Sequence, residues 1–399
     1  MDLDIPPLTS RRRLRISVVT ETYPPEINGV AFTVARWVEA LRRRGHSLAL
    51  VRVARNREPS DAPDAQDVLR LPGFALPGYP QVRAGWPAYG VLFDHWRRQR
   101  PDLTHIATEG PLGYSALRAA RRLRIPVSTS FHTHFQHYSR HYRLGWLSAP
   151  ITAYLRHFHN RALQTLAPTD ELVHQLQTLG FQRVRKVARG VDTALFSPQR
   201  RDPLLRRDWG LTARGLAVLY VGRLAAEKNL TLLIAAFEAI RRTRPDARLI
   251  LVGDGPMAAR ARARHPNFVH CGMREGEALA AHYASADLFL FPSLTDTFGN
   301  VVLEAMASGL AVVAFDCAAA RAHLDSGRNG LSVPFGDAGA FVDAAVALAR
   351  EPALLENLGR AARQSVARLD SERIYDRLEA SFLQLASGEP SCPNASLAI

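Results

Sequence analysis

The sequence predicts a protein of two doubly wound parallel α/β domains. Short apolar runs of the kind that form buried strands alternate with amphipathic helical segments, and this alternation starts again after Pro198. At 399 residues the chain is long enough for two domains of ordinary size. Ligands of such sheets bind at the carboxyl ends of the strands, so we expect the functional site in the cleft between the two domains.

The first half of the chain supplies four predicted strands separated by helices. Each strand is a short apolar run that a parallel sheet would bury on both faces. The runs are RISVVT, SLALVRV, LTHIA and IPVSTSF, at residues 15–20, 47–53, 103–107 and 125–131. Gly45 is predicted to end the first helix as its C-cap residue. Residues 57–85, rich in Pro, Asp and Gly, are predicted to be irregular.

The second half repeats the pattern with five predicted strands. The runs are GLAVLYVGR, ARLILVGDG, FVHCG, DLFLFPS and AVVAFD, at residues 215–223, 247–255, 268–272, 287–293 and 311–316. Helical segments separate them, and two or three further helices fill residues 338–386. This repetition predicts a second sheet of the same kind as the first.

The stretch TDTFGNVVLEAMASG, residues 295–309, combines a strand–helix turn with a nearly apolar helix. The open N-terminus of such a helix offers free N–H groups and the positive end of a dipole, which suits a phosphate. Glu304 is the one charge inside the helix, Asn300 shares its face, and Asp296 precedes both in the turn. A carboxylate buried there requires a partner. Either a protein arginine or a ligand hydroxyl would supply it.

Further candidate residues follow predicted strands in both halves. Gly29 ends the loop after the first strand, where it either makes a turn or allows a phosphate or sugar to approach the backbone. Arg223 and Lys228 flank the loop after the first strand of the second half, and both side chains could reach a diphosphate. Lys228 is one of only two lysines among 51 basic residues. Ordinary surface charges are the alternative interpretation of each.

Histidines cluster after the fourth strand. His132 and His134 would lie on the same side of a strand end, where they could share a metal, but no third ligand has a fitting spacing. His132 could instead donate a hydrogen bond to a substrate or be purely structural. The aromatic and basic segment that follows is typical either of a membrane-docking face or of an amphipathic helix packed on the sheet.

Positive charge is concentrated in the first half. Residues 1–199 hold 28 Lys and Arg against 15 Asp and Glu, a balance of +13, whereas residues 200–399 hold 51−28=23 against 37−15=22, a balance of +1. Such asymmetry indicates an anionic partner for the first half, or else a solubilising surface. A nucleic-acid-binding protein would fit the charge, but the chain has no recognisable binding module and its arginines are scattered.

Other classes are not favoured by the composition. No apolar run reaches the length of a membrane span, and the N-terminal segment lacks the apolar core of a signal peptide. Three cysteines, an odd number at wide spacing, fit a reducing cytoplasm better than a disulfide framework or a metal site. The absence of G-x-G-x-x-G after the first strand argues against a nicotinamide or flavin dehydrogenase.

Taken together, the motifs resemble those of glycosyltransferase family four, whose fold is GT-B. The resemblance covers almost the whole chain and depends on the order of the pieces. They are VTETYPPEINGVA, FHTHFQHYSRHYRLGWL, RGVDTALFSP, VGRLAAEKN, LVGDGP, HYASADLFLFPS and the stretch at residues 295–309. Within the family the sequence is most similar to bacterial GDP-mannose-dependent α-mannosyltransferases, and it also resembles enzymes that glycosylate diacylglycerol.

The resemblance implies roles for particular residues. Arg223 and Lys228 match the diphosphate-binding pair, and Glu304 matches the carboxylate that binds the ribose hydroxyls. Asp296 stands where the E-x7-E motif has its first Glu, which contacts the donor sugar. His132 matches a histidine beside the reacting sugar. The remaining donor-binding positions are Gly29 near the phosphates, Met273 and Arg274 along the base, and Phe298, Gly299, Asn300 and Val301 at the sugar and phosphate.

The resemblance also implies an arrangement of domains. We expect an acceptor-binding domain at residues 1–195 and a nucleotide-sugar domain at residues 196–370. Residues 371–399 would form a helix that packs back toward the first domain, followed by a loose tail.

The function that the resemblance implies is a retaining, metal-independent transfer of a hexose, best matched by mannose from GDP-mannose. We expect a lipid or lipid-linked acceptor, no cofactor beyond the nucleotide sugar, no nucleic-acid partner, and a cytoplasmic enzyme peripheral to the inner face of the membrane. A UDP-sugar-dependent diacylglycerol glycosyltransferase is the nearest alternative. An inactive nucleotide-sugar-binding protein of the same fold is another, because Asp replaces Glu at position 296.

Overall fold

The structure, a computed structural model, describes residues 12–24, 26, 29–54, 67–76, 79–131, 148–188, 190–212, 214–294 and 299–388. The chain divides into two compact units, which are Met1–Ala188 with Ile374–Ile399, and Arg189–Arg373. We call them the N-terminal and C-terminal units. Each contains a parallel sheet, so the predicted class of two parallel-sheet α/β domains is confirmed.

The N-terminal unit has nine described strands and most of its helices between them. The strands are β1 (Arg15–Thr20), β2 (Ser47–Val53), β3 (Val68–Leu71), β4 (Gly73–Leu76), β5 (Tyr79–Gly85), β6 (Leu103–Ile106), β7 (Val127–Ser130), β8 (Gln164–Ala167) and β9 (Val184–Lys186). The helices are α1 (Gly29–Arg43), α2 (Tyr89–Gln99), α3 (Pro111–Arg122), α4 (Ser148–His159) and α5 (Asp170–Thr178). The main sheet has the order β3-β2-β1-β6-β7-β8-β9, and all its described pairings are parallel.

The expectation that residues 57–85 are irregular is wrong over much of its length. Residues 55–66 lie outside the described part, but β3 extends the main sheet and β4 pairs with β5 in an antiparallel hairpin. Gly73 and Gly85 lie opposite each other in that hairpin. A Cβ at Gly73 would lie 2.5 Å from the carbonyl oxygen of Ala84. Gly73 therefore permits close approach of two backbones, whereas a Cβ at Gly85 would lie 2.7 Å from the Cβ of Leu112. Both glycines serve packing in a hairpin and are not loop signals here.

The C-terminal unit has six strands in the described part. The strands are β10 (Ala217–Val221), β11 (Arg248–Val252), β12 (Val269–Gly272), β13 (Leu288–Phe291), β14 (Ala311–Phe315) and β15 (Leu331–Val333). The helices are α6 (Pro203–Asp208), α7 (Leu230–Thr243), α8 (Ala258–Arg264), α9 (Gly276–Ser285), α10 (Asn300–Ala307), α11 (Ala318–His323), α12 (Ala338–Arg350), α13 (Pro352–Val366) and α14 (Ser371–Ser387), of which the last passes into the N-terminal unit at Ile374. Its central strands are fully buried, which explains their unbroken apolar sequences.

Helix α14 is fixed to the N-terminal unit by a buried ionic cluster. Ile374, Leu378 and Phe382 join the apolar core of that unit. Beside them Glu379 accepts hydrogen bonds from Arg44 Nη1 at 2.7 Å and from His46 Nε2 at 3.1 Å. Nε2 is the nitrogen that carries the proton, because Nδ1 of the same ring accepts the N–H of Leu14. The cluster joins the end of the chain to the segments that flank α1 and β2.

We expect Glu379→Ala to lower the free energy of unfolding by about 3–5 kcal/mol, because it leaves a buried arginine without its carboxylate. Urea unfolding followed by circular dichroism measures the loss. Asp376→Ala is the matched control, since Asp376 binds the same Arg44 but its side chain is 59% exposed. Its removal should cost less than about 1 kcal/mol. Equal losses for the two variants would contradict the assignment of the cluster as a buried structural anchor.

Candidate functional site

The strand order of the C-terminal unit creates a switch point between β10 and β13. The sheet runs β12-β11-β10-β13-β14-β15, so the chain builds outward from β10 in one direction and then from β13 in the other. The loops that follow β10 and β13 therefore leave the sheet side by side in opposite senses, and ligands of doubly wound sheets bind in the crevice between such loops. Most of the predicted donor-binding residues that the structure describes lie on these two loops or at the start of α10.

Glycines bring the carboxyl ends of β10 and β11 together. A Cβ at Gly253, which follows β11, would lie 2.0 Å from the carbonyl oxygen of Gly222, which follows β10. Leu224 N–H donates to the carbonyl of Asp254 at 2.9 Å, and the hydroxyl of Tyr220 donates to the carbonyl of Arg223 at 3.1 Å. The backbone at Arg223 is thus fixed while its side chain remains 48% exposed. Arg223 lies 3.9 Å from Glu227 in a loose ion pair.

Lys228 connects the loop after β10 to the end of β13. Its Nζ lies 3.3 Å from the hydroxyl oxygen of Ser293 and 5.7 Å from the ring centre of Phe291. The N–H of Leu294 donates to the carbonyl of Glu227 at 3.3 Å, which joins the two loops through the backbone as well. The ammonium group therefore lies at the carboxyl end of β13, where the strand order changes direction.

Helix α10 begins at this edge without a side-chain cap. Gly299 precedes it with φ 82°, a left-handed conformation that favours glycine. No side-chain hydrogen bond caps the helix at Gly299, so its first N–H groups are not occupied in that way. The Oδ1 atom of Asn300 is buried and has no hydrogen-bond partner within the described residues. A buried amide oxygen in that position fits a ligand hydroxyl or other donor.

Glu304 lies one helical turn further along α10, buried at 7% exposure. Its carboxylate accepts a hydrogen bond from the hydroxyl of Tyr283 on α9 at 3.1 Å. Burial, together with the charge of Glu304, raises the pKa of Tyr283 well above its ordinary value, so the phenol stays protonated as a donor. Tyr283 therefore holds the Glu304 carboxyl group as a neutral hydrogen-bond donor, and that group has further lone pairs that can accept ligand hydroxyls.

Met273 and Arg274 follow β12, on the half of the sheet that also contains β10. Met273 is 43% exposed, which is high for a large apolar side chain. The Arg274 guanidinium donates to the carbonyl of Met273 at 3.0 Å. Exposed apolar and planar cationic groups at a sheet edge can stack against a nucleobase.

The remaining predicted site residues are Gly29 of the N-terminal unit, Val301 on α10, and four residues outside the described part of the chain. Gly29 is the first residue of α1 in the N-terminal unit, and its carbonyl accepts the hydroxyl of Thr33 at 2.6 Å. Val301 follows Asn300 in the first turn of α10. His132, His134, Asp296 and Phe298 lie outside the described residues.

Sequence reasoning missed two residues of the site. Tyr283, the hydrogen-bond partner of Glu304, belongs to α9 and lies 21 positions earlier in the chain. Ser293 contacts Lys228 across 65 positions. Ser293 carries a weak signal in the sequence, because it is the first polar residue after a buried strand. Tyr283 carries no such signal, because a tyrosine that only packs on an apolar helix face and a tyrosine that donates to a carboxylate give the same sequence pattern.

Among the residues that the structure describes, no group of three or more His, Cys, Asp or Glu side chains could hold a metal ion. In the same residues no helix is both long enough and apolar enough to cross a membrane.

Comparisons with known proteins agree with the geometry. The model of Glycosyltransferase Family 4 matches residues 27–195, and that of Glycosyl transferases group 1 matches residues 215–351. A GDP-mannose-dependent alpha-mannosyltransferase of Mycobacterium tuberculosis (strain CDC 1551 / Oshkosh) is 36% identical over 331 residues, which cover 81% of this chain and 85% of that protein. An alpha-monoglucosyldiacylglycerol synthase of Streptococcus pneumoniae (strain ATCC BAA-255 / R6) is 26% identical over 75% of this chain and 71% of its own length.

Solved structures share the fold. The sucrose-phosphate synthase from Thermosynechococcus elongatus aligns with a TM-score of 0.71 and 21% identity, over 94% of this chain and 100% of that chain. At that identity the likeness concerns the fold and not the substrate.

Proposed function

This chain belongs to the glycosyltransferases of family four and has the GT-B fold, and from that premise we propose that it transfers mannose from GDP-mannose to a lipid or lipid-linked acceptor, with retention at the anomeric carbon and without a metal. The observation that carries the proposal is the group of Arg223, Lys228 and the uncapped start of α10 at the switch point of the C-terminal unit. Two cations and a helix N-terminus suit a diphosphate.

We assign the diphosphate of the donor to these three elements. The guanidinium of Arg223 and the ammonium of Lys228 supply the positive charge that other transferases take from a metal ion. Backbone N–H groups from Gly299 onward supply hydrogen bonds in a fixed direction. Gly29 of the N-terminal unit is assigned to the donor phosphates in addition to these three elements, by its match to the family motif. As the bond to the sugar breaks, negative charge grows on the diphosphate, and preorganised cations stabilise that change most.

The nucleoside and sugar are assigned to the surrounding residues. Glu304 accepts hydrogen bonds from the ribose hydroxyls, and Met273 with Arg274 lies along the base. The amide of Asn300 and the backbone of Val301 face the sugar and phosphate. Asp296, Phe298 and His132 are assigned to the donor sugar by their match to family motifs, His132 as the histidine beside the reacting sugar and Asp296 as the carboxylate that contacts the sugar.

The transfer step balances without a dedicated base. The bond from the anomeric carbon to the β-phosphate oxygen breaks, and the pair of electrons leaves with GDP. The acceptor oxygen forms its bond on the same face, and its proton passes to an oxygen of the departing phosphate. The cations that hold the diphosphate therefore act on the leaving group and position the group that accepts the proton.

A lipid acceptor and an anionic membrane surface are proposed for the N-terminal unit. Residues 1–199, which include all of this unit except Ile374–Ile399, carry a balance of 28−15=+13 charges, which an anionic lipid surface attracts. Helix α4 also exposes Ile151 and Tyr154, each 40% accessible. These features support docking at the inner face of the membrane. The relative named for diacylglycerol supports diacylglycerol as the alternative acceptor. For that alternative we take a UDP-sugar as the donor.

One experiment tests donor and acceptor together. Calorimetry compares the binding of GDP-mannose with that of UDP-glucose, and radiolabelled sugar from the tighter binder is then offered with vesicles of phosphatidylglycerol, with and without diacylglycerol and bacterial lipid extract. The proposal requires preferred binding of GDP-mannose and label in the lipid phase. Preference for UDP-glucose would support the alternative transferase. Binding without transfer or hydrolysis of either donor would show an inactive nucleotide-sugar-binding protein.

Asp296→Glu is expected to retain transfer within about tenfold of wild type, because it restores the carboxylate that the family motif has at this position and adds one methylene. Asp296→Ala should lose most of the activity. Steady-state rates with GDP-mannose measure both. If Asp296→Glu is as inactive as Asp296→Ala, the shorter side chain sets the geometry of the donor sugar in this enzyme.

A further inference from the structure

The N-terminal unit has a switch point of its own, between β1 and β6. Glu21 lies directly after β1 at this edge of the sheet. The loop that it begins leads to α1, whose first residue is Gly29. The proposed donor site of the C-terminal unit does not include Glu21. The residues around Glu21 are arranged to fit its side chain, as the following contacts show.

Glu21 joins the loop after β1 to the connection between β6 and α3. Its N–H donates to the hydroxyl of Thr108 at 2.9 Å. Its Oε1 accepts the N–H of Leu112, in the first turn of α3, at 2.9 Å. Gly110, the N-cap residue of α3, has no side chain to make such a bond. Glu21 therefore caps, from a different strand, the 12-residue helix α3.

Gly110 provides the space that the carboxyl group occupies. A Cβ at position 110 would lie 1.9 Å from Oε2 of Glu21 and 2.4 Å from its Cδ. The backbone at Gly110 has φ −69°, which alanine adopts without strain. The requirement for glycine at this position therefore comes from Glu21 and not from the backbone.

The carboxyl group lies among groups that disfavour its charge. Burial is the largest cause that raises the pKa of Glu21, and the charge of Glu109 raises it further. Hydrogen bonds from backbone N–H groups lower the pKa, and the net result is a pKa of about 7 in place of 4.5. Glu109 lies 3.6 Å from Nε2 of His159, and its carbonyl accepts the hydroxyl of Tyr154. Burial first, then Glu109 and Glu21, raises the pKa of Tyr154 to about 12.

The loop beyond Glu21 is held by short-range bonds. The hydroxyl of Thr20 donates to the carbonyl of Thr22 at 2.7 Å, and the N–H of Glu26 donates to the carbonyl of Tyr23 at 3.1 Å. The hydroxyl of Thr22 also donates to the carboxylate of Glu26. These bonds hold Thr22, Tyr23 and Glu26 to one another, so the attachment at Glu21 positions the described part of the loop that leads toward α1.

We propose that Glu21 is a positioning residue for sugar transfer, which fixes the loop after β1 on the N-terminus of α3 and thereby places Gly29 for the donor phosphates. The proposal rests on the proposed function, which assigns Gly29 to donor binding. The hydrogen bond from Leu112 requires only a lone pair, which both protonation states of Glu21 retain. The charged state adds repulsion from Glu109 and loss of solvation, so it holds the loop less well.

A double-mutant cycle on melting temperature tests the contact. Gly110→Ala should lower Tm by about 3 °C or more in the wild-type background, because its methyl group displaces the Glu21 carboxyl. In the Glu21→Ala background the same change should lower Tm by less than about 1 °C. Gly90→Ala in α2 is the control, since its Cβ would meet nothing within 4 Å. Equal effects of Gly110→Ala in both backgrounds would overturn the contact.

Glu21→Gln tests the role of protonation, because it resembles the neutral acid and still accepts the N–H of Leu112. A group whose folded pKa is raised from 4.5 to about 7 loses its stabilising contribution as pH rises through that interval. The Tm of Glu21→Gln relative to wild type should therefore increase from pH 5 to pH 8, as measured by circular dichroism. A difference that stays constant over this range would overturn the protonation step.

Kinetics separate positioning from a purely structural role. The KM of the wild type for GDP-mannose should rise between pH 6 and pH 8, and that of Glu21→Gln should stay flat, with kcat similar in both. Glu21→Ala should raise KM roughly tenfold over wild type at pH 6, the size of one lost hydrogen bond, and by a smaller factor at pH 8. Unchanged KM in Glu21→Ala would overturn the proposal. If wild-type protein does not bind GDP-mannose, the proposed function fails, whereas the melting cycle still reports on the contact of Glu21 with Gly110.

Discussion

Lys228→Ala is expected to lower the rate of sugar transfer by about 10²–10³-fold, the usual effect of removing one group that stabilises charge in a transition state. The ammonium group lies 3.3 Å from Ser293 at the carboxyl end of β13, where the donor diphosphate is assigned. Because the charge on the leaving group grows during the reaction, kcat should fall more than the affinity for GDP-mannose. Single-turnover rates with radiolabelled GDP-mannose and calorimetry measure the two quantities.

The chain provides a matched control for this prediction. Lys186 is its other lysine, 44% exposed and paired with Asp170 on the surface of the N-terminal unit. Lys186→Ala should keep transfer within about twofold of wild type, as expected for an exposed ion pair. Lys228→Arg adds a second comparison, because it retains the charge with a different shape. Normal turnover by Lys228→Ala would remove Lys228 from the site.

Glu304→Ala is expected to lower kcat/KM by at least about 10²-fold, because hydrogen bonds to a charged group contribute about 1.5–3 kcal/mol each and the ribose offers two hydroxyls. The variant also leaves the buried hydroxyl of Tyr283 without the acceptor that it has at 3.1 Å. We expect a loss of about 1–3 kcal/mol in the free energy of unfolding, which leaves the protein folded. Calorimetry with GDP and urea unfolding measure binding and stability separately.

Two variants distinguish ligand binding from internal support. Tyr283→Phe removes the hydroxyl and leaves the carboxylate, so its kcat/KM should stay within about tenfold of wild type. Glu304→Gln keeps the volume of the side chain but not its charge, and its binding of GDP should be weak although its stability is close to that of wild type. If Tyr283→Phe impairs GDP binding as strongly as Glu304→Ala, then Glu304 supports the fold and does not bind the ribose.

The sequence predicted the repeated strand–helix alternation because burial on both faces of a parallel sheet imposes continuous apolar runs of four to seven residues. It also indicated where chemistry should occur, since Arg223, Lys228 and Glu304 follow such runs or lie in the helix that does. Local conformation and burial leave a pattern in neighbouring residues, and that pattern can be read without knowledge of distant contacts.

The sequence was less informative at sheet edges. Residues 68–76 and 79–85 contain three strands although the glycines and prolines of this region indicate a loop. An edge strand pairs on one side only, so it tolerates residues that a central strand excludes. Composition therefore predicts secondary structure poorly at an edge strand, where half of the backbone groups need no partner in the sheet. There the conformation depends on the strand with which the segment pairs.

What the sequence determined was the class of the fold and the family, and it predicted the loops to which donor binding is assigned. Only the tertiary structure decided which loops meet, because strand order depends on the crossovers of the chain and not on the composition of any strand. It paired Glu304 with Tyr283, Lys228 with Ser293, and Glu21 with Gly110. Each pair joins residues from different elements, and the energy of such contacts depends on distance in space, which no local pattern of residues encodes.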